Sequence, residues 1–153
     1  MPYSKVLVPV SGGPADAEAV KLACGLVRRA KGKVLVAYVI AVKRSLPLEA
    51  NIESDITKGE ETLRAAEATA EGEEMDLETE LLQAREVGPA LVDEAVERGV
   101  DAVIVGLPYK KRFGEFSLGS VAPYLLRNAP CPVIILRVPP AVESDAPGGT
   151  ENK

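Results

Sequence analysis

VLVAYVIAV, residues 34–42, is the longest uninterrupted apolar run in the chain and indicates its class of fold. The run is long enough for a β-strand but falls far short of the roughly 20 residues that a helix needs to cross a bilayer. A strand without polar alternation is typical of a parallel sheet that helices cover on both faces. We therefore expect an α/β domain built around a buried parallel sheet.

The segments on either side continue this pattern, because strand patterns alternate with helical ones along the chain. The strands are predicted at residues 5–10, 34–42, 77–82, 101–105 and 131–138, and the helices at residues 15–30, 52–73, 88–98 and 120–128. Such alternation predicts a parallel sheet with right-handed crossovers. Residues 77–82 alternate apolar with polar side chains, so this strand belongs at an edge. With the first and fourth strands central, the order is 3-2-1-4-5, a doubly wound, Rossmann-like five-stranded sheet with helices on both faces.

The composition narrows the range of functions. The chain has 153 residues, a formal net charge of −5 and no histidine. An acidic chain is not expected to bind the backbone of nucleic acids, and the absence of histidine removes imidazole as a base or metal ligand, so we expect no metal site. Two cysteines do not make a disulfide framework, and no secretory or membrane-spanning pattern is visible, so we expect a cytoplasmic protein. Residues 1–140 are expected to form one domain, and residues 141–153 a disordered tail.

Two loops are expected to meet where the strand order reverses, between the first and fourth strands. Open α/β sheets bind their ligands at this point. One loop is Ser11-Gly12-Gly13, and the other runs over residues 106–120. Gly119-Ser120 opens the last helix, whose unpaired N–H groups favour an anion such as phosphate. The same two residues are also suited to capping the helix without any ligand.

The spacing within the second loop matches a known nucleotide motif. Gly106, two residues, position 109, nine residues and Gly119-Ser120 resemble the G-x2-G-x9-G-(S/T) motif of the universal stress protein family. GSVAPYLLRNAPCPVIILR at residues 119–137 is similar to the closing helix and strand of that family, and KVLVPV and VLVAYVI match its first two strands. The resemblance covers residues 3–138 and implies the adenine nucleotide α hydrolase-like form of the fold.

The resemblance also implies a function. It indicates a cytoplasmic, homodimeric stress-response protein that pairs with its own copy through the strand at residues 131–138. In one branch of the family it implies a bound ATP or AMP, and whether Mg²⁺ accompanies ATP is left open. The residues that would contact the nucleotide are Pro9, Val10 and Ser11 after the first strand, Val39 beside the adenine, Gly106, which makes room, and Gly119, Ser120 and Val121 at the phosphates.

Three positions depart from the family pattern. Ser11 stands where an acidic residue is usual, and Tyr109 and Arg112 stand where glycines are usual. Tyrosine at position 109 is disfavoured if the backbone needs positive φ, and its ring is expected to fill the crevice, stack on a base or pack the loop. Lys110, Lys111 and Arg112 either offset the charge of a nucleotide or form an exposed, solvated run.

Two other functions stay open. The first is a nucleotide-free dimeric interaction protein of the same fold, in which Tyr109 fills the crevice. The second is an enzyme like the ATP pyrophosphatases, because residues 11–16 nearly match their S-G-G-x-D-S loop; Ala15 stands where that loop needs Asp, and Asp16 where it needs Ser. With no histidine base, no paired nucleophile and no P-loop, we expect at most slow ATP hydrolysis and assign no catalytic residue.

Overall fold

The structure, a computed structural model, describes residues 3–109, 111–112, 115–116 and 118–139. In chain order the elements are β1 (Lys5–Pro9), α1 (Asp16–Arg28), β2 (Lys33–Ala41), α2 (Glu53–Gly72), β3 (Leu77–Ala84), α3 (Val87–Arg98), β4 (Ala102–Pro108), β5 (Lys111–Arg112), β6 (Glu115–Phe116), α4 (Val121–Asn128) and β7 (Val133–Val138). The central sheet has five parallel strands in the order β3-β2-β1-β4-β7. Since β7 is the fifth strand of this sheet, the predicted order 3-2-1-4-5 is confirmed. The predicted tail at residues 141–153 lies outside the described residues.

Two apolar layers enclose the sheet. Val6 and Val8 of β1 pack on one side with α1 and α2, whereas Leu7 packs on the other side with α3 and α4. All three side chains are fully buried. Burial of one such side chain stabilises a fold by about 1.5–3 kcal/mol, so uninterrupted apolar strands require cover on both faces. The predicted helices on both faces of the sheet are confirmed.

The strand predicted to lie at an edge, β3, does so. It carries Glu78 and Glu80, and the carboxylates of both pair with Arg98 near the end of α3. Charged side chains on an edge strand discourage pairing with other chains. The alternating pattern in the sequence therefore reports a strand that is accessible on one side.

β4 extends further than predicted, and Gly106 lies inside the strand. A Cβ at this position would lie 2.8 Å from the carbonyl oxygen of Ala15 and 3.1 Å from the Cβ of Ala19. The glycine thus lets α1 pack closely against β4. The expectation that the strand ends at Gly106 is wrong, because the hydrogen-bonded ladder to β7 continues through Leu107 and Pro108.

The loop predicted at residues 107–118 contains further strand structure. β5 and β6 pair in antiparallel fashion, with Lys111 opposite Phe116 and Arg112 opposite Glu115. Lys110 lies outside the described residues, and so do the side chains of Lys111 and Arg112. The two interpretations of this basic run therefore stay predictions.

Replacing Gly106 by alanine is expected to destabilise the fold because the added methyl group would collide with the carbonyl oxygen of Ala15, immediately before α1, and with the side chain of Ala19 in α1. Overpacking of this kind costs about 1–3 kcal/mol in the free energy of unfolding. Gly25→Ala is the matched control. Gly25 lies in α1, and apart from its chain neighbours and the backbone of its own helix no atom of the described residues lies within 4 Å of a Cβ there. This change is expected to raise the free energy of unfolding by roughly 0.5–1 kcal/mol. Urea unfolding followed by circular dichroism measures the free energy of unfolding of both variants. A Gly106→Ala variant as stable as the wild type would contradict the role of Gly106 in the packing of α1 against β4.

Candidate functional site

The carboxyl ends of β1 and β4 open onto a crevice at the edge of the sheet. After β1 the chain enters α1 on one face, whereas α4, which follows β4, lies with α3 on the opposite face. Divergence of this kind leaves a gap between neighbouring strand ends, where open α/β sheets bind ligands. The gap is a cavity of about 250 Å³, close to the lower end of the roughly 300–1,000 Å³ of small-molecule sites.

The wall of the cavity is mainly apolar and comes from several elements. It is formed by residues 9–11 after β1, Asp16 of α1, Val87 and Leu91 of α3, residues 105–108 of β4 and residues 118–122 at the start of α4. Of the eight residues predicted to contact a nucleotide, seven lie in this wall: Pro9, Val10, Ser11, Gly106, Gly119, Ser120 and Val121. The structure thus brings together the two loops that the sequence placed at the reversal of strand order.

Val39 is the predicted residue whose side chain lies elsewhere. It packs against the apolar layer under α3 and α4 and is not part of the cavity wall. Its backbone nevertheless faces the crevice. The N–H of Val10 donates a hydrogen bond to the carbonyl oxygen of Ala37 at 2.9 Å, and alternation along a strand turns the N–H and C=O of Val39 to the same side as those of Ala37. Because β1 pairs with β2 only as far as Pro9 and Ala37, the backbone edge of Val39 lies beyond the end of β1.

Gly119 and Ser120 form the entry to α4. Gly119 has a φ of 71°, and apart from its two chain neighbours no atom of the described residues lies within 4 Å of a Cβ there, so positive φ rather than crowding requires glycine. Ser120 precedes the first helical residue, yet its side chain makes no capping hydrogen bond within the described helix. The first N–H groups of a helix have no partner in it and carry the positive end of its dipole. No acidic residue lies in the first turn of α4, and the nearby Glu86, which lines an adjoining pocket with Ser120 and Val121, pairs with Arg44. The N-terminus of α4 therefore favours an anion.

The first loop, by contrast, is occupied by a carboxylate of the chain itself. The N–H of Gly12 donates a hydrogen bond to Oδ2 of Asp16 at 2.7 Å, and the N–H of Ser11 donates to Oδ1 at 3.2 Å. Burial raises the pKa of Asp16, and the hydrogen bonds from the loop oppose this shift. A pyrophosphate-binding loop would offer these same N–H groups to its ligand. The geometry therefore speaks against the ATP pyrophosphatase interpretation.

Sequence reasoning missed Asp16 as a site residue and placed the polar group of this loop at Ser11. A local signal existed, since aspartate at the start of a helix commonly accepts hydrogen bonds from the preceding turn. Val87 and Leu91 were missed as well. No local pattern marks them, because only the crossover from the edge strand β3 brings α3 over the crevice.

The ring of Tyr109 lies away from the crevice. The guanidinium carbon of Arg137 lies 5.0 Å from the centre of this ring, and the N–H of Tyr109 donates to the carbonyl oxygen of Val138 at 3.0 Å. Tyr109 does not belong to the cavity wall, so the expectation that its ring fills the crevice is wrong. In the described part of the chain the non-glycine residues with positive φ are Lys31 and Glu74. Tyrosine at position 109 therefore causes no strain of the backbone.

Over residues 3–109, 111–112, 115–116 and 118–139, no group of three or more His, Cys, Asp or Glu side chains is placed to hold a metal ion. Among the helices that the structure describes, none is both long and apolar enough to cross a membrane. Cys24 is buried in the core and Cys131 is half-buried, each as a free thiol.

Comparison with known proteins agrees with the fold. The model of the Universal stress protein family matches residues 2–137. A universal stress protein from Methanocaldococcus jannaschii is 29% identical over 143 residues, which cover 90% of this chain and 84% of that protein. A universal stress protein structure from Archaeoglobus fulgidus has a TM-score of 0.74 at 26% identity, and the match covers 87% of this chain and 98% of that one. A second structure from that organism, in complex with dAMP, has a TM-score of 0.69 at 27% identity, and the match covers 88% of this chain and 98% of that one. The chain therefore belongs to the universal stress protein family.

Proposed function

We propose that the protein binds an adenine nucleotide, AMP or ATP, in the crevice between β1 and β4 and acts as a nucleotide-linked regulatory module. The observation that carries this proposal is the entry to α4. Gly119 in a left-handed conformation and a Ser120 hydroxyl that does not cap the helix open onto an apolar cavity. Helix N-termini of this kind bind phosphate groups. In this proposal the phosphate lies against Ser120 and Val121.

The apolar part of the cavity suits the base of the nucleotide. Val87, Leu91 and Leu107 line it, and ligand sites are built from such side chains with a few polar groups that fix orientation. The N–H and C=O of Val39, which face past the end of β1, are a neighbouring donor and acceptor. Such a pair complements the edge of an adenine ring, which also offers a donor beside an acceptor.

The comparison supports an adenine nucleotide as the ligand. The similar structure from Archaeoglobus fulgidus is a complex with dAMP. That ligand consists of an adenine base, a deoxyribose and one phosphate. The crevice of this chain offers an apolar wall for a base and a helix N-terminus for a phosphate.

We infer binding rather than efficient catalysis. The chain has no histidine, and Asp16 is the carboxylate that the described residues contribute to the cavity wall. Its oxygens already accept hydrogen bonds from the first loop. A nucleotide held without a well-placed general base is expected to stay intact or to be hydrolysed slowly.

Calorimetric titration with AMP, ADP and ATP, each with and without Mg²⁺, tests the proposal. The wild-type protein is expected to bind AMP or ATP. Ser120→Ala is expected to weaken binding about 10- to 100-fold, because a hydrogen bond to a charged group contributes about 1.5–3 kcal/mol. Ser54→Ala is the matched control, since Ser54 lies in the first turn of α2 and is exposed.

Flat titrations at millimolar nucleotide would contradict the binding proposal and favour the nucleotide-free interaction protein. Equal losses of affinity in Ser120→Ala and Ser54→Ala, or no loss in either, would contradict the placement of the phosphate at α4.

We also propose that two copies of the chain associate through β7. One side of this strand pairs with β4, and the other is the edge of the sheet. Residues 133–136 are apolar and half-buried, and Leu126 on the adjacent α4 is 54% exposed. An apolar edge strand pairs readily with another chain. A second copy presents the same surface around a twofold axis.

Ile135→Pro is expected to convert the dimer into a monomer. The carbonyl oxygens of Pro132 and Val138 accept hydrogen bonds from Val103 and Tyr109, so even-numbered residues of β7 face β4 and the N–H of Ile135 points outward. Proline removes this outward donor and leaves the ladder to β4 intact. Ile135→Ala, the control, truncates the side chain but keeps the N–H.

Light scattering after size-exclusion chromatography measures the mass of each variant, with circular dichroism to verify folding. Wild type and Ile135→Ala are expected at the mass of a dimer and Ile135→Pro at that of a monomer. A monomeric wild type, or a dimeric Ile135→Pro, would contradict this interface.

A further inference from the structure

We propose that Asp16 is a specificity-determining residue of the crevice: it limits the negative charge of the ligand and turns the phosphate of the nucleotide toward α4. The inference rests on the proposed nucleotide site. It adds the orientation of the nucleotide in the crevice and a preference for ligands of low negative charge. Neutral donors such as the ribose hydroxyls face Asp16, and the anionic end faces Ser120.

The carboxylate of Asp16 is a fixed part of the cavity wall. Asp16 lies in the first turn of α1, and its side chain reaches back to the N–H groups of Ser11 and Gly12. Gly12 has a φ of 89° and so takes a conformation that other residues rarely adopt. Two hydrogen bonds to backbone N–H groups hold the carboxylate in place and stabilise its charged form.

The two sides of the crevice therefore differ in electrostatic character. On the α1 side, the positive end of the helix and the N–H groups of the loop are already compensated by Asp16. On the α4 side, the first turn holds no acidic residue. A phosphate near Asp16 would meet a fixed negative charge, whereas a hydroxyl could donate a hydrogen bond to the remaining lone pairs of the carboxylate.

This arrangement has a measurable consequence. The unfavourable interaction with Asp16 grows with the charge of the ligand, from adenosine through AMP to ATP. Neutralising Asp16 should thus improve the binding of ATP most, that of AMP less, and should weaken or leave unchanged that of adenosine. A merely structural role of Asp16 would move all three affinities in the same direction.

The test is calorimetric titration of adenosine, AMP and ATP into wild type, Asp16→Asn and Asp16→Ala, at low salt and with EDTA so that no divalent cation masks the charge. The ratio of ATP to adenosine affinity is expected to rise about tenfold or more in both variants. The gain is expected to shrink when the titrations are repeated in high salt, since screening weakens charge–charge interactions. Asp16→Asn keeps the shape of the side chain and serves if Asp16→Ala does not fold.

Glu18→Gln is the matched control. Glu18 lies in the same first turn of α1 and loses the same charge, but its side chain is 55% exposed and lies 3.6 Å from Lys21. The ratio of ATP to adenosine affinity is expected to stay within about twofold of the wild type, because exposed charges are well screened.

The outcomes separate this inference from the proposed function. If the wild type binds nucleotide but the affinity ratio is unchanged in the Asp16 variants, or rises equally in Glu18→Gln, the role of Asp16 is wrong and the site stands. If AMP and ATP both bind only after Asp16 is neutralised, the role of Asp16 is supported and nucleotide binding by the wild type is refuted. If none of the ligands binds any variant, both proposals are wrong.

Discussion

The parallel pairing of β1 with β4 is the constraint on which the site depends. Residues 6–7 pair with residues 102–103 in the centre of the sheet. At the amino ends of these strands, Asp101 accepts hydrogen bonds from the N–H of Ser4 at 2.6 Å and from that of Lys5 at 2.9 Å. The Ser4 hydroxyl, followed by these N–H groups, lowers the pKa of Asp101. The strands are thus tied together at one end, while at the other end their chains diverge to opposite faces. The crevice is the direct result of that divergence.

Three helices begin at this crevice: α1, α3 with Val87, and α4. The two that follow the central strands, α1 and α4, differ in what compensates the positive end of the helix. The N-terminus of α1 is compensated by Asp16, a residue of its own first turn, which also binds the loop that precedes it. The N-terminus of α4 has Gly119 and an uncapped Ser120 in front of it. The positive end of the helix dipole is thus compensated by a carboxylate at α1, whereas no side chain of the first turn compensates it at α4. This difference is why we place the phosphate at α4.

The architecture could be predicted from the sequence because it depends on patterns that are local. The apolar run at residues 34–42 requires cover on both faces, and the alternation at residues 77–82 marks an edge strand. The entry to α4 was equally visible, since the positive φ of Gly119 is a property of one residue and its neighbours.

The features that could not be predicted depend on which elements meet in space. A side chain at position 106 would collide with Ala15 and Ala19, which are some 90 residues away in the chain. Tyr109 turns toward Arg137 rather than into the crevice, and Val87 reaches the cavity only through the crossover of α3. Spacing along the chain identifies such positions as special but does not say what they contact. A glycine that makes room for a nucleotide and one that makes room for a helix look alike in a single sequence.

A crystal structure of the protein with AMP tests the central claim most directly. We predict that the phosphate lies within hydrogen-bonding distance of the Ser120 hydroxyl and the Val121 N–H, with the adenine against Val87 and Leu91. A phosphate bound to the N–H groups of Ser11 and Gly12 in place of Asp16, or AMP bound outside the crevice, would contradict it.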